Sequence, residues 1–280
     1  MNELRKCQIL QLNIANEVIK ICEKNNISYI FIAGSMLGTI RHKGFIPWDD
    51  DLDIGMMRSE YKKFLKIAKN ELPSNLFLQT WDTDTNFGLP ITKIRLNGTK
   101  YIEKNSRNVE IHSGIYIDIF PFDNVPENEI LMRAQRLGVT FFKHLLLNKC
   151  NYEYIDRSNK RKWFIGRIFK ILSKFVSFSY IHKRFYSIMT KYNNNITKCV
   201  VAFGGASNLK KETLNRSWVI ETEIRDFEGL KVNISREWDA YLKHFYGDYM
   251  TPPPENDRYI GHSITEIDFG KSLLAEGTNK

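Results

Sequence analysis

The segment FIAGSMLGTIRHKGFIPWDDDLDIGM, residues 31–56, contains the strongest pattern in this chain. It begins in an apolar run, passes through a glycine-serine pair and reaches four aspartates within five positions, Asp49, Asp50, Asp51 and Asp53. Carboxylates this close repel one another and raise one another's pKa, so a folded chain retains such a cluster only where a cation compensates it. The sequence therefore predicts a cation-binding site at this point.

The apolar runs around the aspartates predict two neighbouring strands. ISYIFIAG is β-branched and predicts a strand that ends at Gly34, and DLDIGM predicts a second strand beside it. Successive side chains of a strand alternate between its faces, so Asp51 and Asp53 point one way and Asp50 points the other. Asp51 and Asp53 therefore form a bracket for a divalent cation, although a slip of one residue in the register would exchange the two sets.

A phosphate site and a third carboxylate complete the pattern. Gly34 and Ser35 lead into a short predicted helix, SMLGTIRHKG, and the free amides of a helix N-terminus bind phosphate. Asp118 lies inside GIYIDIFPF, a predicted buried strand, where a carboxylate is costly unless it faces a cation. An all-oxygen site completed by substrate phosphates suits Mg²⁺, with Mn²⁺ as the alternative. This order of features predicts metal-dependent phosphoryl or nucleotidyl transfer.

The remaining sequence predicts one α/β core with helical additions. Further apolar runs predict strands over NLFLQT, PITKIRL, CVVAFGG and FEGLKVNI. Amphipathic or capped segments predict helices over residues 3–25, 59–72 and 126–149 and between Ser235 and Gly247, with Ser59 and Ser235 as N-caps. TPPPENDR, with three successive prolines, is predicted to be neither helix nor sheet interior.

The net charge of +9 is unevenly distributed. Residues 157–211 hold 13 Lys or Arg and no Asp or Glu, whereas the rest of the chain holds 28 basic and 32 acidic side chains. Within this segment KRKWFIGRIFKILSKFVSF has a helical period, and such a helix either lies in an anionic membrane interface or packs its apolar face on the core. Its apolar face comprises Phe164, Ile168, Ile171, Leu172 and Phe175, and its basic face Arg167, Lys170 and Lys174. No nucleic-acid-binding motif accompanies the charge, so no nucleic acid partner is expected.

Cysteine usage and hydropathy predict a location facing the cytosol. Four scattered cysteines without CxxC spacing fit neither a zinc site nor a disulfide framework and predict reduced thiols. The first residues lack the apolar core of a signal peptide, and no window approaches the ~20 apolar residues of a membrane span. We expect a cytoplasmic protein, or one that is peripheral on the inner face of the membrane.

Three sequence motifs of this chain resemble those of the LicD family, to which fukutin-related proteins are related. The motifs are GSMLGTIRHKGFIPWDDDLDIGM, GIYIDIFPFDNVP and YGDYMTPPPENDR. Their order of GS, DxD and a distant Asp is also similar to the nucleotidyltransferase superfamily. The resemblance runs from Ile27 to Arg258 and is weakest between Asn151 and Ala206. It implies a nucleotidyltransferase-like mixed-sheet core over residues 1–150, a basic helical insertion over 151–198 and a C-terminal part, 199–280, that completes the core and the site.

The resemblance also implies a reaction. Members are similar in transferring a phosphorylated alcohol from a CDP-linked donor to a sugar hydroxyl of a surface glycan precursor. Phosphocholine is the favoured group, with glycerol phosphate and ribitol phosphate as alternatives. The implied acceptor is a lipid-linked oligosaccharide or teichoic acid precursor, in capsule or lipopolysaccharide biosynthesis. A nucleotidyltransferase that uses an NTP on a small molecule or RNA stays open as the alternative function.

By the same resemblance, Asp51 and Asp53 are metal ligands. Asp118 is a third ligand or the general base that takes the acceptor proton. Gly34 and Ser35 would hold the donor diphosphate.

Basic and aromatic side chains nearby are secondary candidates for binding the donor. Arg41, His42 and Lys43 directly precede the acidic cluster, where they either hold donor phosphates or neutralise Asp49 and Asp50. For Arg41 and Lys43 a structural ion pair is the alternative. Trp48 either packs, which is preferred, or forms one wall of an aromatic cage for a choline ammonium.

Two later segments add candidates. Lys93 and Arg95 share one face of PITKIRL and either approach the phosphates or lie on a solvated sheet edge. In TPPPENDR, Arg258 is preferred over its acidic neighbours because its planar guanidinium matches a phosphate. The six histidines show no metal-ligand spacing, and only His262 is retained as a candidate.

Overall fold

The computed structural model describes residues 1–153, 160–258 and 262–270, with the side chains of residues 160–162 and 257 outside the description. The helices are α1 (Glu3–Lys24), α2 (Ala33–His42), α3 (Arg58–Glu71), α4 (Glu129–Lys149), α5 (Lys160–Phe175), α6 (Phe178–Met189), α7 (Ser217–Ile220) and α8 (Trp238–Tyr246). The strands are β1 (Ile30–Phe31), β2 (Asp53–Met57), β3 (Leu76–Gln79), β4 (Thr92–Leu96), β5 (Lys100–Glu103), β6 (Tyr116–Asn124), β7 (Cys199–Ala202), β8 (Thr213–Asn215), β9 (Thr222–Phe227), β10 (Leu230–Ser235) and β11 (Ile264–Asp268).

A seven-stranded mixed sheet lies at the centre. Its order is β1-β2-β6-β4-β3, and β7 pairs with the end of β6 and then with β8. Only β2 and β6 are parallel to each other, with Asp53 opposite Asp118 in their register. The nine-residue strand β6 is apolar on both faces and buried along almost its whole length, as expected for a central strand. The predicted mixed α/β class is confirmed.

Two sets of buried side chains form the interior. The first joins α1, α2, α3 and α8 to the sheet and includes Phe31, Phe64 and Tyr116. The second lies between α4, α6 and β7 and includes Phe185 and Phe203. The division of the chain at residues 150 and 198 stays a prediction.

Three helix starts differ from the sequence prediction. Strand β1 ends at Phe31 and α2 begins at Ala33, so Gly34 lies in the first turn of the helix instead of at the end of a strand. Helix α3 begins at Arg58 with Met57 as N-cap, so Ser59 is already helical. Helix α8 has Glu237 as N-cap, and the Ser235 hydroxyl accepts from the Glu237 amide. Its predicted end at Gly247 is confirmed.

The predicted strand FEGLKVNI is interrupted by a turn. Glu228 and Gly229 both have positive φ, 48° and 87°, and they reverse the chain between β9 and β10. Glycine adopts this conformation without steric cost. A two-stranded hairpin therefore replaces one strand.

Helix α5 was expected either to pack its apolar face on the core or to present it to a membrane, and core packing is wrong for that face. Phe164, Ile171 and Phe175 are 61%, 55% and 83% exposed. The helix packs on α4 through the strip Gly166, Phe169 and Ser173 instead. Within the described ranges, no helix has the length and apolar character needed to cross a bilayer.

Candidate active site

Two neighbouring strands position the central carboxylates. Asp53 is the first residue of β2 and lies opposite Asp118 of β6. The Asp118 amide donates to Leu52 O at 2.9 Å, and the Asp53 amide donates to the Ser35 hydroxyl at 2.8 Å. Ser35 thus fixes the start of β2, a role that the sequence did not predict. Asp51, the first residue of the predicted strand DLDIGM, lies two positions before the start of β2.

The N-terminus of α2 meets the acidic loop. A Cβ atom on Gly34 would lie 2.5 Å from Asp49 Oδ2, so only glycine allows this carboxylate to approach so closely. The first-turn amides of a helix have no intrahelical partners, and a negative charge at that end is favourable. Gly34 and Ser35 therefore stand beside the carboxylates, where an anionic group of a substrate would be stabilised.

The carboxylates perturb one another strongly. Burial first, and then repulsion from Asp51, raises the pKa of Asp49 to about 8. Burial raises the pKa of Asp51 to about 6, although His262 opposes the shift. Burial and the charges of Asp51 and Asp118 hold the pKa of Asp53 well above its usual range. Burial also raises the pKa of Asp118, against the lowering effect of Lys93.

Two buried oxygens in this cluster accept no hydrogen bond from the described residues. Asp118 Oδ1 still lies 2.9 Å from Lys93 Nζ, which leaves Asp53 Oδ1 without a protein partner. Asp53 Oδ1 is buried, and no described residue donates a hydrogen bond to it. Buried polar atoms are rarely unsatisfied in native structures, and a bound ion is one recognised explanation. The oxygen-only donor set of Asp51, Asp53 and Asp118, with excess negative charge, fits a hard divalent cation such as Mg²⁺.

Lys93 is the first of two protein cations at the site. It is 3% exposed, so the solvated-edge alternative is wrong. Its Nζ lies 2.9 Å from Asp118 Oδ1, donates to Asp118 Oδ2 at 3.0 Å, and lies 3.7 Å from Glu103 Oε1. The ammonium also lies 3.3 Å from the centre of the Tyr116 ring. Burial alone would raise the pKa of Glu103, but Lys93 and His262 lower it to about 2.

His262 is the second cation. Its Nδ1 lies 3.1 Å from Asp50 Oδ1 and 3.8 Å from Asp51 Oδ2, and its amide donates to Asp50 Oδ2. Burial opposes protonation, but the hydrogen bond to Asp50 and the charges of Glu103 and Asp51 raise the pKa of His262 to about 9. The retained histidine thus neutralises Asp50, the aspartate predicted to point away from the bracket.

Asp50, Asp51 and His262 also form a compact set of potential metal ligands, with ligand atoms within 4.8 Å of one another. An imidazolium repels a metal ion, and Asp50 is already bonded by Tyr101 and His262. We therefore assign this set to an ion pair and retain Asp51, Asp53 and Asp118 as the candidate metal ligands.

Arg41, His42, Trp48 and Arg258 gather beside the acidic loop. The Arg258 guanidinium lies 4.7 Å from the Trp48 ring and that of Arg41 lies 6.0 Å from it. Arg41 donates to His42 Nε2 and to Tyr249 O, and burial lowers its pKa and that of His42. Glu255 Oε1 lies 3.5 Å from Arg258, and both side chains contact solvent. Both guanidiniums lie beside the same Trp48 ring, and a pair of cations placed in this way suits a phosphate.

Some predicted binding residues serve the protein itself. Arg95 is buried, donates to Gln79 Oε1 and to Gly114 O, and stacks on Tyr116. Lys43 is exposed and ends α2 in the left-handed conformation. Among the described residues, no carboxylate forms an ion pair with Arg41 or Lys43, and Asp50 is paired with His262. A cage role for Trp48, which packs against the first core, stays a prediction.

Sequence reasoning missed several groups that surround the carboxylates. Tyr101 donates to Asp50 Oδ2 and Tyr116 donates to Glu103 Oε1. Burial, Tyr241 and the charge of Asp49 hold the pKa of the Tyr246 phenol well above its usual range. Strand β5, which carries Tyr101 and Glu103, is a short YIE run with little apolar signal. Tyr246 is the first residue of the motif YGDYMTPPPENDR, and the resemblance of that motif to the LicD family was the available indication that Tyr246 belongs to the site.

A second acidic centre lies at the other end of β6 and differs from the first. Asp123 accepts two hydrogen bonds from Arg58, at 2.8 and 2.5 Å, and one from Asn193 at 2.6 Å. Both carboxylate oxygens are therefore paired, which identifies a structural ion pair. The contrast with Asp53 Oδ1 separates a structural aspartate from a candidate ligand.

Known proteins are similar to this chain in sequence. Residues 26–160 match the family model described as LicD/FKTN/FKRP, nucleotidyltransferase domain. The chain is 28% identical over 271 residues to the lipopolysaccharide cholinephosphotransferase LicD of Haemophilus influenzae, covering 92% of this chain and 96% of that protein. Short segments match uncharacterized proteins of Rickettsia typhi, 48% identical over 48 residues (17% of this chain, 16% of the relative), and of Rickettsia prowazekii, 51% over 41 residues (15% of each). The family domain and the similarity along nearly the whole chain together support a phosphotransferase of the LicD type.

Proposed function

We propose that this enzyme transfers phosphocholine from CDP-choline to a sugar hydroxyl of a cell-surface glycan precursor, with Mg²⁺ bound by Asp51, Asp53 and Asp118. The single observation that carries the proposal is the in-register pair Asp53 and Asp118, in which Asp53 Oδ1 is buried with neither a hydrogen bond nor an ion pair from the described residues. The name of the H. influenzae relative supports choline as the alcohol and lipopolysaccharide as the class of acceptor. A nucleotidyltransferase-like core is part of the same proposal.

Divalent cations neutralise charge on a transferring phosphoryl group, which is the main requirement of such reactions. The chain's own residues then position the reactants. The first turn of α2, with Gly34 and Ser35, faces the donor diphosphate on one side of the acidic loop. Arg41 and Arg258 stand on another side, and their fork-shaped guanidiniums bind a second phosphate edge.

Asp118 is the proposed group nearest the acceptor. Lys93 holds it in place through two contacts of about 3 Å and balances its charge. Because the bond from Lys93 favours the carboxylate form, Asp118 is available to bind the cation or to accept the hydroxyl proton. The sheet fixes both side chains, since Lys93 and Asp118 are opposite each other on β4 and β6.

The acceptor and the location complete the proposal. A teichoic acid precursor is the second acceptor class, and glycerol or ribitol phosphate are the alternative transferred groups. Lipid-linked acceptors of this kind reside on membranes, so we place the enzyme at the inner face of the membrane as a peripheral protein.

The test incubates the purified protein and Mg²⁺ with CDP-choline, CDP-glycerol, CDP-ribitol or CTP and a lipid-linked glycan extract, and measures CMP and pyrophosphate. We expect CMP from CDP-choline, lost on EDTA addition and in Asp53→Asn. An Ile224→Ser variant, in the exposed β9 strand, is the matched control and should retain the rate. Pyrophosphate from CTP without CMP would instead identify a nucleotidyltransferase. CMP from another CDP-alcohol would correct the transferred group only.

A further inference from the structure

Helix α5 is attached to the protein by a narrow contact. Phe169 packs against Phe141 of α4, with ring centres 5.4 Å apart. Lys149 donates to Ser173 O, and Lys170 donates to Asn148 O. The ammonium groups of both lysines thus donate hydrogen bonds to backbone carbonyl oxygens at the contact between α4 and α5. Among the described side chains of α5, the least exposed are Gly166, Phe169, Lys170 and Ser173, which form a narrow strip.

The rest of α5 presents large apolar side chains to the outside. Those exposed by 39% or more are Trp163 39%, Phe164 61%, Ile165 41%, Ile168 42%, Ile171 55%, Leu172 40% and Phe175 83%. Phe141 and Leu137 of α4, one turn apart, are 43% and 67% exposed and extend the same region beyond the Phe169 contact. We call these residues the α5 surface. Monomeric soluble proteins rarely expose contiguous apolar patches this rich, and such patches mark interaction sites.

In the described parts of α5 and α6, every Lys, Arg, Asp or Glu side chain is basic. Arg167 and Lys174 are exposed on α5, and Lys183 and Arg184 are exposed on α6. The sequence from residue 157 to 211 contains no Asp or Glu to offset them. A second copy of the same surface would therefore be repelled. An anionic bilayer satisfies both features, because its acyl chains accept the apolar groups and its headgroups attract the cations.

We propose that the α5 surface docks this enzyme on an anionic lipid bilayer, with α5 lying parallel to the membrane plane. At 16 residues the helix is about 24 Å long, too short to cross a hydrocarbon core of about 30 Å. Because α5 is this short and its exterior is both apolar and basic, we infer that it lies in the membrane interface. The proposal names the surface behind the proposed membrane association and does not depend on the reaction that the enzyme catalyses.

Vesicle co-sedimentation tests the docking. The full-length protein should bind phosphatidylcholine vesicles that contain 30% phosphatidylglycerol, release at high salt, and bind pure phosphatidylcholine weakly. The triple variant Phe164→Ser, Ile171→Ser, Phe175→Ser should lower the partition coefficient at least tenfold. Arg167→Gln with Lys174→Gln should lower it about 25-fold, at about fivefold per basic residue.

Matched controls keep the test specific. Ile224→Ser removes a 66% exposed apolar side chain from β9, and Lys66→Gln with Lys69→Gln removes two exposed lysines from α3. These variants should bind like the unmodified protein. Vesicle-induced blue shift of tryptophan fluorescence should disappear in Trp163→Phe, although four other tryptophans remain.

Three results would overturn the docking surface. They are equal binding to zwitterionic vesicles, retained binding in the triple variant, and a dimer in solution that the triple variant dissociates. The last would assign the α5 surface to a second copy. CMP release from CDP-choline, measured in detergent on the same triple variant, is expected to persist. Its presence or absence therefore reports on the proposed reaction separately from membrane binding.

Discussion

Replacing Asp53 by asparagine tests whether this carboxylate is a metal ligand or a structural acceptor. Asp53 and Asp118 are opposite each other on neighbouring strands, which lie about 4.8 Å apart. Two unit negative charges about 5 Å apart repel by about 3 kcal/mol at an effective dielectric constant of 20. Because the pKa of both carboxyls is raised, protonation already relieves part of this repulsion.

Without divalent ions, Asp53→Asn should therefore increase the free energy of unfolding by about 1–2 kcal/mol. The corresponding rise in Tm is about 2–6 °C for a protein of this size. No hydrogen bond to Asp53 Oδ1 is lost, since no described residue donates one. With saturating Mg²⁺ the unmodified protein should gain stability and Asp53→Asn should gain much less. Scanning calorimetry with EDTA or Mg²⁺ measures both effects, and CMP release should fall at least a thousandfold.

Asp123→Asn is the control, because it removes a carboxylate that Arg58 and Asn193 pair completely. Breaking this buried pair should lower the free energy of unfolding by about 3–5 kcal/mol, with or without Mg²⁺. If Asp53→Asn destabilised the metal-free protein as Asp123→Asn does, Asp53 would be a structural acceptor and the metal assignment would be refuted.

Folding raises the pKa of Asp49 to about 8, of Asp51 to about 6 and of His262 to about 9. In metal-free buffer, the folded protein should therefore bind more protons than the unfolded chain between about pH 4 and 9. The free energy of unfolding should then fall as pH rises through this range, and a Tm that is flat or rises from pH 5 to 9 in EDTA would contradict this. Lys93→Met should lower the free energy of unfolding by about 3–5 kcal/mol and abolish CMP release, because it leaves Asp118 and Glu103 buried without their cation. Urea unfolding measures the change in stability. An unaltered unfolding midpoint would contradict this prediction. Arg258→Ala should raise the KM for the CDP-linked donor about tenfold with little change in Tm, and Arg258→Lys should restore it only partly because a lysine lacks the planar fork. Initial rates measure this effect with Glu255→Gln as the control, and an unchanged KM would exclude Arg258 from the donor site.

The central part of the site is local in sequence, which is why it was predictable. The acidic loop, β2 and the Asp118 strand carry strong period-two and apolar patterns. The separation of Asp50 from Asp51 and Asp53 by strand alternation stays a prediction, because β2 begins only at Asp53. The mixed α/β class followed from the same patterns. Helix starts were less certain because tertiary contacts moved them, as when Arg58 joins α3 and reaches Asp123.

The contacts that complete the site come from distant segments and have no local signal. His262 contacts Asp50 across 212 positions, and Glu103 reaches Lys93 only because β5 lies beside the sheet. The orientation of α5 could not be predicted either. Its apolar period is the same whether that face is buried or exposed, and only the packing of Gly166, Phe169 and Ser173 on α4 distinguishes the two.

The pairing of Asp50 with His262 has a consequence for the growing polypeptide. At about 5–20 residues per second, a ribosome needs about 10–40 s to synthesise the 212 positions between them. During that time the emerging chain carries four clustered aspartates without the imidazolium that later faces Asp50, and β5 has no β11 beside it. The acidic pocket around Asp50 is therefore expected to close only after the segment that carries His262 and β11 leaves the ribosome.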